Sequence, residues 1–227
     1  MKQIKKGVEP KSLTEYRSSI THSDLEKSNI YEDFQYKTKQ GCSENESYNL
    51  RKQLLEEQGY ICCYCMSRID CNNSKIEHFK PQTKYRAFQI DYQNLFIACN
   101  GGEGKKGKEQ YCDSFKGEDE LTSINLLGAM EQYIKYSKLG EISSSNSTIG
   151  KELNTILNLN NSMLKRNRKQ SYQRLIQNLN KRGWTNQTIK QDISKYEEID
   201  AKGKYYEFSQ MIVYFLNKKL KQKGITV

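Results

Sequence analysis

The chain is short of histidine, and of its 227 residues only His22 and His78 carry an imidazole, so imidazole chemistry falls to one of those two. His22 lies in the polar segment THSDLEKSN with no cysteine or acid at ligand spacing and reads as solvated. No apolar run approaches the ~20 residues of a membrane span, and the opening MKQIKKGVEP lacks the apolar centre of a signal peptide, so a cytoplasmic protein that does not enter the membrane is expected. No complete P-loop, Gly-x-x-x-x-Gly-Lys-Ser/Thr, is present, because Glu109 follows the one stretch with that spacing, Gly102 to Lys108; this assigns any nucleotide hydrolysis to another chain. No internal repeat is visible. Acidic residues are missing altogether from residues 153–191, where Lys165, Arg166, Arg168, Lys169, Arg174, Lys181, Arg182 and Lys190 are all basic.

That last gap explains the charge. Of 37 Lys+Arg and 27 Asp+Glu, 19 of each fall within residues 1–120, so the whole net charge of +10 sits in the second half. A phosphate-binding face is the functional reading of that excess, with Lys165, Arg166, Arg168, Lys169 and Arg174 as its candidates. A solvated helix face or a docking face for an acidic partner surface fits the same residues.

What the chain does have is cysteine. Seven is an odd number, and in a reducing compartment it points to thiols and metal rather than a disulfide framework. Cys62 and Cys65 form a Cys-x-x-Cys knuckle, whose spacing turns both thiolates toward one tetrahedral zinc at about 2.3 Å. Cys99 and Cys112 would complete the site, at a separation that requires a loop between them; Cys42, Cys63 and Cys71 are left over. Between the two cysteine pairs lie Glu77-His78 and Asn94. Glu77 offers a carboxylate to a divalent cation, and His78, facing the other way, can take a proton from water. A metal and a base are what phosphodiester hydrolysis requires.

In this order, Glu77-His78, then Asn94-Leu95, then Cys112-Asp113-Ser114-Phe115-Lys116, the residues resemble the HNH, or ββα-metal, endonucleases. The resemblance implies an α+β fold: a ββα-metal core with a structural zinc on Cys62, Cys65, Cys99 and Cys112, embedded in a largely helical chain. It implies His78 as the base, Glu77 and Asp113 as holders of Mg2+ or Mn2+, Asn94 as either a second support of the metal or the clamp of the histidine loop, and Lys116 as a phosphate contact. Asp113 departs from the commoner family pattern, which has a third histidine there; a harder oxygen ligand favours magnesium or manganese over zinc. Outside the motif, MKQIKKGVEPKSL, LRKQLLEEQGYICCYC, IEHFKPQ and TILNLNNSMLKRNR look like the PtuB-like nuclease subunit of Septu-type and retron-linked antiphage systems, over roughly residues 1–170. That likeness implies a PtuA-like ATPase partner, in retron-linked systems a reverse transcriptase with its RNA–DNA, and a nucleic-acid substrate, DNA or RNA such as tRNA. A zinc ribbon that binds nucleic acid without cutting it, an adaptor, is the rival reading of the four cysteines.

The organisation expected is a helical segment over residues 1–59, the zinc-braced module over 60–145 and a basic helical region over 146–227. Ser12-Leu13-Thr14-Glu15 has the spacing of a capping box that would open a short helix. Residues 21–46 read as loop or weak helix, and a clearer helix starts at Ser47 and stops at Gly59. Residues Cys62 to Asn94 are expected to form a short hairpin carrying His78, since Asn72-Asn73-Ser74 marks a turn and Pro81 bars a following central strand, with Asn94 to Cys99 returning beside it as strand or loop. The insert NGGEGKKGKEQY (residues 100–111) reads as a flexible cationic loop, either solvated or closing on a substrate backbone. Residues 131–145 predict a hairpin around Leu139-Gly140, and the run SSSNS a boundary. A helix over residues 204–223 carries the stripe Tyr205, Phe208, Ile212, Phe215, Leu216, which reads as core.

Overall fold

In the computed structural model, residues 1–38 and 50–225 are described. The protein is mixed α+β, with small sheets. The first ten residues are irregular, as their charge suggests, yet their apolar members turn inward: Met1 and Ile4 are buried, and the Ile4 N–H donates to the Leu126 carbonyl at 2.9 Å. Lys6 follows them in, its ammonium 4.2 Å from the centre of the Tyr92 ring and 3.6 Å from the Glu57 carboxylate. Burial holds that ammonium down to about 8. Helix α1 (Lys11–Ser18) begins one residue before the expected box. Its cap is Pro10, whose carbonyl accepts from Leu13 and Thr14 N–H, and Ser12 lies inside the helix, so the Ser12–Glu15 box is not made. A capping box does form at Thr21–Asp24, opening a 3-10 turn at His22–Glu26 in which His22 is exposed as expected.

Helix α2 (Ile30–Lys37) corrects the expectation of a loop or weak helix. Ile30, Tyr31 and Phe34 share one face and are buried, with the Phe34 ring 5.4 Å from Tyr16. The expected start at Ser47 lies outside the described residues; helix α3 (Leu50–Glu57) buries Leu50, Leu54 and Leu55. The chain leaves it at Gly59, where φ is +56° and a Cβ would stand 2.4 Å from the Tyr205 ring, so glycine is required there.

The central sheet is two five-residue strands, β1 (Ser74–His78) and β2 (Leu95–Cys99), antiparallel with Glu77 opposite Phe96 and His78 opposite Leu95. Asp70 caps the turn at Asn72 and Asn73 by accepting both N–H groups. The turn is where the sequence places it, but the segment before it does not pair with β1; β2 does. On β2, Gln58 uses both ends of its amide on Ile97, donating to its carbonyl at 2.8 Å and accepting its N–H at 2.9 Å. A four-residue helix, α4 (Asp113–Lys116), follows the insert.

The insert itself is tied down. Gly101 and Gly102 approach the returning backbone so closely that a Cβ would meet the Tyr111 carbonyl at 2.1 Å and the Glu109 carbonyl at 2.7 Å. The side chains of Asn158 and Asn161 donate to the Lys108 carbonyl. Its lysines are exposed, but its backbone is pinned rather than flexible.

The predicted hairpin is present as β3 (Ile134–Tyr136) and β4 (Ile142–Ser144), followed by α5 (Ser147–Lys151) capped by Asn146 and a π-helical turn at Glu152–Ile156. Three helices complete the chain: α6 (Ser162–Arg182), α7 (Asn186–Glu197) and α8 (Ser209–Gln222). Two hydrophobic clusters result. One gathers side chains from Met1 to Leu164 and includes Ile142, Ile149 and Leu153 on either side of the SSSNS run. The other joins Leu175, Leu179, Ile189, Phe208, Ile212 and Leu216 to Ile61 and Met66 beside the cysteine knuckle. The expected stripe is core in part: Phe208, Ile212 and Leu216 are buried, Tyr205 and Phe215 are half-buried, and the helix starts only at Ser209, after Tyr205 and Phe208.

Arg168 corrects one expectation about the basic tract. It is 1 % exposed, and its guanidinium donates to the carbonyls of Gly140 and Leu159, fixing the β3–β4 turn to α6. Arg166, Lys169 and Arg174 remain exposed, with Lys165 half-buried. Because Arg168→Ala strands two buried carbonyls, we expect a loss of about 2–4 kcal/mol, a fall in Tm of about 4–16 °C for a chain of this size. Lys169→Ala, one residue on and exposed, should stay within about 0.5 kcal/mol. Equal melting temperatures for the two variants in a thermal scan would refute this assignment.

Candidate functional site

The four cysteines of the sequence pattern meet. Cys62 and Cys65 come from a tight turn closed by the Met66 N–H on the Cys62 carbonyl, Cys99 is the last residue of β2, and Cys112 caps α4. Their sulfurs all lie within 4.8 Å of one another and are buried. A tetrahedral zinc with Zn–S bonds of about 2.3 Å sets its sulfurs about 3.8 Å apart. Cys62 and Cys112 are 3.8 Å apart, as are Cys65 and Cys99. The Ser67 N–H donates to the Cys65 sulfur at 3.5 Å, a bond that supports thiolate character. Burial pushes the Cys112 thiol well above its usual range, and a cation is what would let the four clustered cysteines bind as thiolates together. The cluster is thus able to hold a zinc ion. Cys63, the middle residue of the turn, stays outside it as a buried free thiol; Cys71 is disulfide-bonded rather than a spare thiol, and Cys42 lies outside the described residues.

Asp113, one residue past Cys112, comes to Glu77 on β1. The two carboxyl groups stand within hydrogen-bonding reach of each other. Burial, then the neighbouring Asp113, pushes the Glu77 carboxyl well above the usual range. Burial also opposes ionisation of Asp113, but hydrogen bonds from Glu77 and Lys75 outweigh it and hold Asp113 below the usual range. Two lysines flank the pair: Lys75 bonds Asp113 at 2.7 Å and Lys116 bonds Glu77 at 2.9 Å, the latter two only 1 % exposed on each side chain. The Tyr64 hydroxyl donates to Glu77 at 2.6 Å from within the cysteine turn.

Lys116 is a correction. Expected to reach a phosphate, it is buried, and its ammonium binds Glu77 and the His78 carbonyl, at 2.9 and 3.2 Å. A four-residue helix packed directly on β1 leaves its last side chain no route outward. Tyr64 and Lys75 were not foreseen. Lys75 is recoverable from sequence, because residues two apart on a strand share a face; Tyr64 carries no such signal.

His78 faces the other way, as alternation along β1 demands. Its Nε2 is 2.9 Å from the Gln89 carbonyl oxygen, and the Tyr31 ring meets it edge-on with centroids 4.5 Å apart. A carbonyl only accepts, so Nε2 carries the proton and Nδ1 holds the lone pair in the neutral ring. Burial lowers the His78 pKa from its ordinary value near 6.5, favouring that neutral ring. Asn94 clamps the loop that brings Gln89 to His78: its side-chain oxygen accepts from the Lys80 N–H at 2.7 Å, and its amide donates to the carbonyls of Lys80 and Phe88 at 3.1 Å each. Of the two readings of Asn94, the geometry matches the clamp and not the ligand. Tyr31 and Gln89 were missed because each reaches His78 from a segment of the chain that no local pattern links to it.

Among the described residues, the cysteines form the one group of three or more metal-ligating side chains. Glu77 and Asp113 bring two carboxylates together, each bonded to a lysine.

No protein-family model matches the chain. It is 33 % identical over 60 residues to the Septu protein PtuB of Bacillus thuringiensis, a stretch covering 26 % of this chain and 23 % of that protein. This is a partial and distant likeness. No helix among the described residues is long and apolar enough to cross a membrane.

Because structural zinc is coupled to folding, the purified protein should carry about one zinc per chain by elemental analysis. Cys99→Ser and Cys112→Ser should yield insoluble or zinc-depleted protein, whereas Cys63→Ala should keep its zinc. A soluble Cys112→Ser variant with undiminished zinc would remove Cys112 from the site.

Proposed function

We propose that the chain is a metal-dependent endonuclease subunit that hydrolyses phosphodiester bonds of nucleic acid, DNA or RNA such as tRNA, as the effector of a Septu-type antiphage system working beside an ATPase subunit. The observation that carries the reading is the arrangement at the end of β1. A histidine with its proton directed to Nε2 and its lone pair on Nδ1 stands next in sequence to a carboxylate pair that α4 completes. The partial likeness to the Septu protein PtuB supports the defence setting, and the exposed Arg166, Lys169 and Arg174 on α6 offer charge for a phosphate backbone or for the partner.

In this reading Nδ1 of His78 takes the proton of the attacking water, and the Gln89 carbonyl keeps the ring oriented and stabilises the imidazolium that forms. Asn94 holds the loop that positions that carbonyl. A divalent cation on Glu77 and Asp113 would act as a Lewis acid toward the scissile phosphate. Lys75 and Lys116 compensate the carboxylates while they are without it, so the charge cluster keeps its shape. Tyr31 shields one edge of the imidazole from water.

With the partner present and Mg2+ or Mn2+ supplied, cleavage of DNA and RNA pools should be measured by sequencing of the ends. His78→Ala should lower the rate about 10²- to 10⁴-fold, the usual contribution of a positioned base, with zinc content unchanged. Asp113→Ala should recover part of its loss at higher magnesium or manganese, and His78→Ala should not. Wild-type cleavage by His78→Ala would leave the chain a zinc-dependent nucleic-acid adaptor.

A further inference from the structure

The second hydrophobic cluster opens on one side into a cavity of about 410 Å3 between α6, α8 and the β3–β4 hairpin. Its walls combine two kinds of side chain. Tyr172 and Phe215, with ring centroids 4.4 Å apart, and Trp184 supply half-buried aromatic surface. Lys138, Lys218 and Lys219 ring the opening, Lys219 lying 5.6 Å from the centre of the Trp184 ring. Among the described residues, no carboxylate lines it. Trp184 is anchored, its indole N–H donating to Asn180 at 2.8 Å and its carbonyl accepting from Lys223. Aromatic faces beside cations with no carboxylate among them suit a planar group attached to an anion, and the volume is that of a small-ligand site.

The surroundings extend this chemistry along one line. Lys165, Lys169, Tyr172 and Ile176 recur at i, i+4, i+7 and i+11 on α6, so they form one stripe. At 1.5 Å rise per residue, Lys169 lies about 4.5 Å and Lys165 about 10.5 Å along the helix from Tyr172. The stripe belongs to the tract that lacks acidic residues from 153 to 191.

We propose that this cavity seats an unpaired nucleotide of a single strand, its base stacked against Tyr172 and Trp184, its phosphate on Lys218 and Lys219, and its neighbouring phosphates on Lys169 and Lys165. This rests on the nucleic-acid reading above and specifies the form of nucleic acid taken. Stacking is tolerant of sequence because every base has a π-face, so the site selects unpaired strands rather than a base order. A duplex keeps its bases stacked inside and has none to offer.

Trp184 is the chain's single tryptophan and therefore its own reporter. The full chain, without added divalent cation so that no strand is cut, should be titrated with an end-labelled (dT)12, with a duplex of equal length and with dTMP, following tryptophan emission and label anisotropy together. Saturating quenching by (dT)12, with at least tenfold weaker binding of the duplex and of dTMP, is expected. Tyr172→Leu, which keeps an apolar side chain in the cluster, should weaken (dT)12 binding about 5- to 150-fold, the range for losing one base stack. Lys218→Gln with Lys219→Gln should flatten the salt dependence by up to about 0.7 for each phosphate no longer neutralised. Circular dichroism checks that the variants fold, and Trp184→Leu, read by anisotropy alone, should weaken binding in step with Tyr172→Leu. Anisotropy change without quenching, undiminished binding by Tyr172→Leu and Trp184→Leu, or equal binding of duplex or dTMP would each overturn the proposal. Its fate is separable from that of the nuclease: if (dT)12 quenches but nothing is cleaved in the assay above, the nuclease reading fails and this site stands. If cleavage proceeds while Tyr172→Leu binds like wild type, the reverse holds.

Discussion

The meeting of Cys62, Cys65, Cys99 and Cys112 is the constraint on which the middle of the molecule depends. Two five-residue strands make too small a sheet to persist alone in water. The cluster ties together the turn after α3, the end of β2 and the start of α4. Cys112 reaches it at φ +54°, a left-handed conformation that non-glycine residues rarely adopt, and its N–H is held there by the Leu157 carbonyl at 2.8 Å. Since Asp113 is the next residue, placing Cys112 in the cluster also places Asp113 at Glu77. The thiols thereby position the carboxylates.

Around that anchor, burial of charge is the recurring device. Glu77 with Lys116, Asp113 with Lys75 and Lys6 with Glu57 are ion pairs in or near the core. Glu152 in the π-helical turn accepts the backbone N–H groups of Thr122, Ser123 and Ile124, while Arg168 donates to two carbonyls. Such groups add little net stability against an apolar replacement, yet losing one partner is costly, so each holds its segment in a single arrangement. In a chain with abundant lysine and little histidine, lysine serves as the internal counter-ion.

The two faces of β1 separate two tasks. Glu77 and Lys75 look toward α4 and the cysteine turn; His78 looks toward α2 and the loop that Asn94 clamps. The strand ends at His78 and Pro81 follows, so the loop beyond is free to fold back and present the Gln89 carbonyl. Tyr31 arrives from a helix more than forty residues upstream.

The sequence by itself determined the residue types and their local spacing: the Cys-x-x-Cys knuckle, the adjacent acid and histidine, the hairpin at Leu139-Gly140 and the buried Ile212 and Leu216 of α8. These are legible because each depends on neighbours within one turn or one strand pair. It did not determine which Ser or Pro would open α1, that residues 30–37 would be a packed helix, or that Lys116 and Arg168 would be inside. A lone Lys or Arg in a polar stretch carries the same letters whether it meets water or a buried carboxylate or carbonyl. Only the tertiary structure decided between those, because the partners, Glu77 for Lys116 and Gly140 with Leu159 for Arg168, are brought by chain segments whose approach no local pattern encodes.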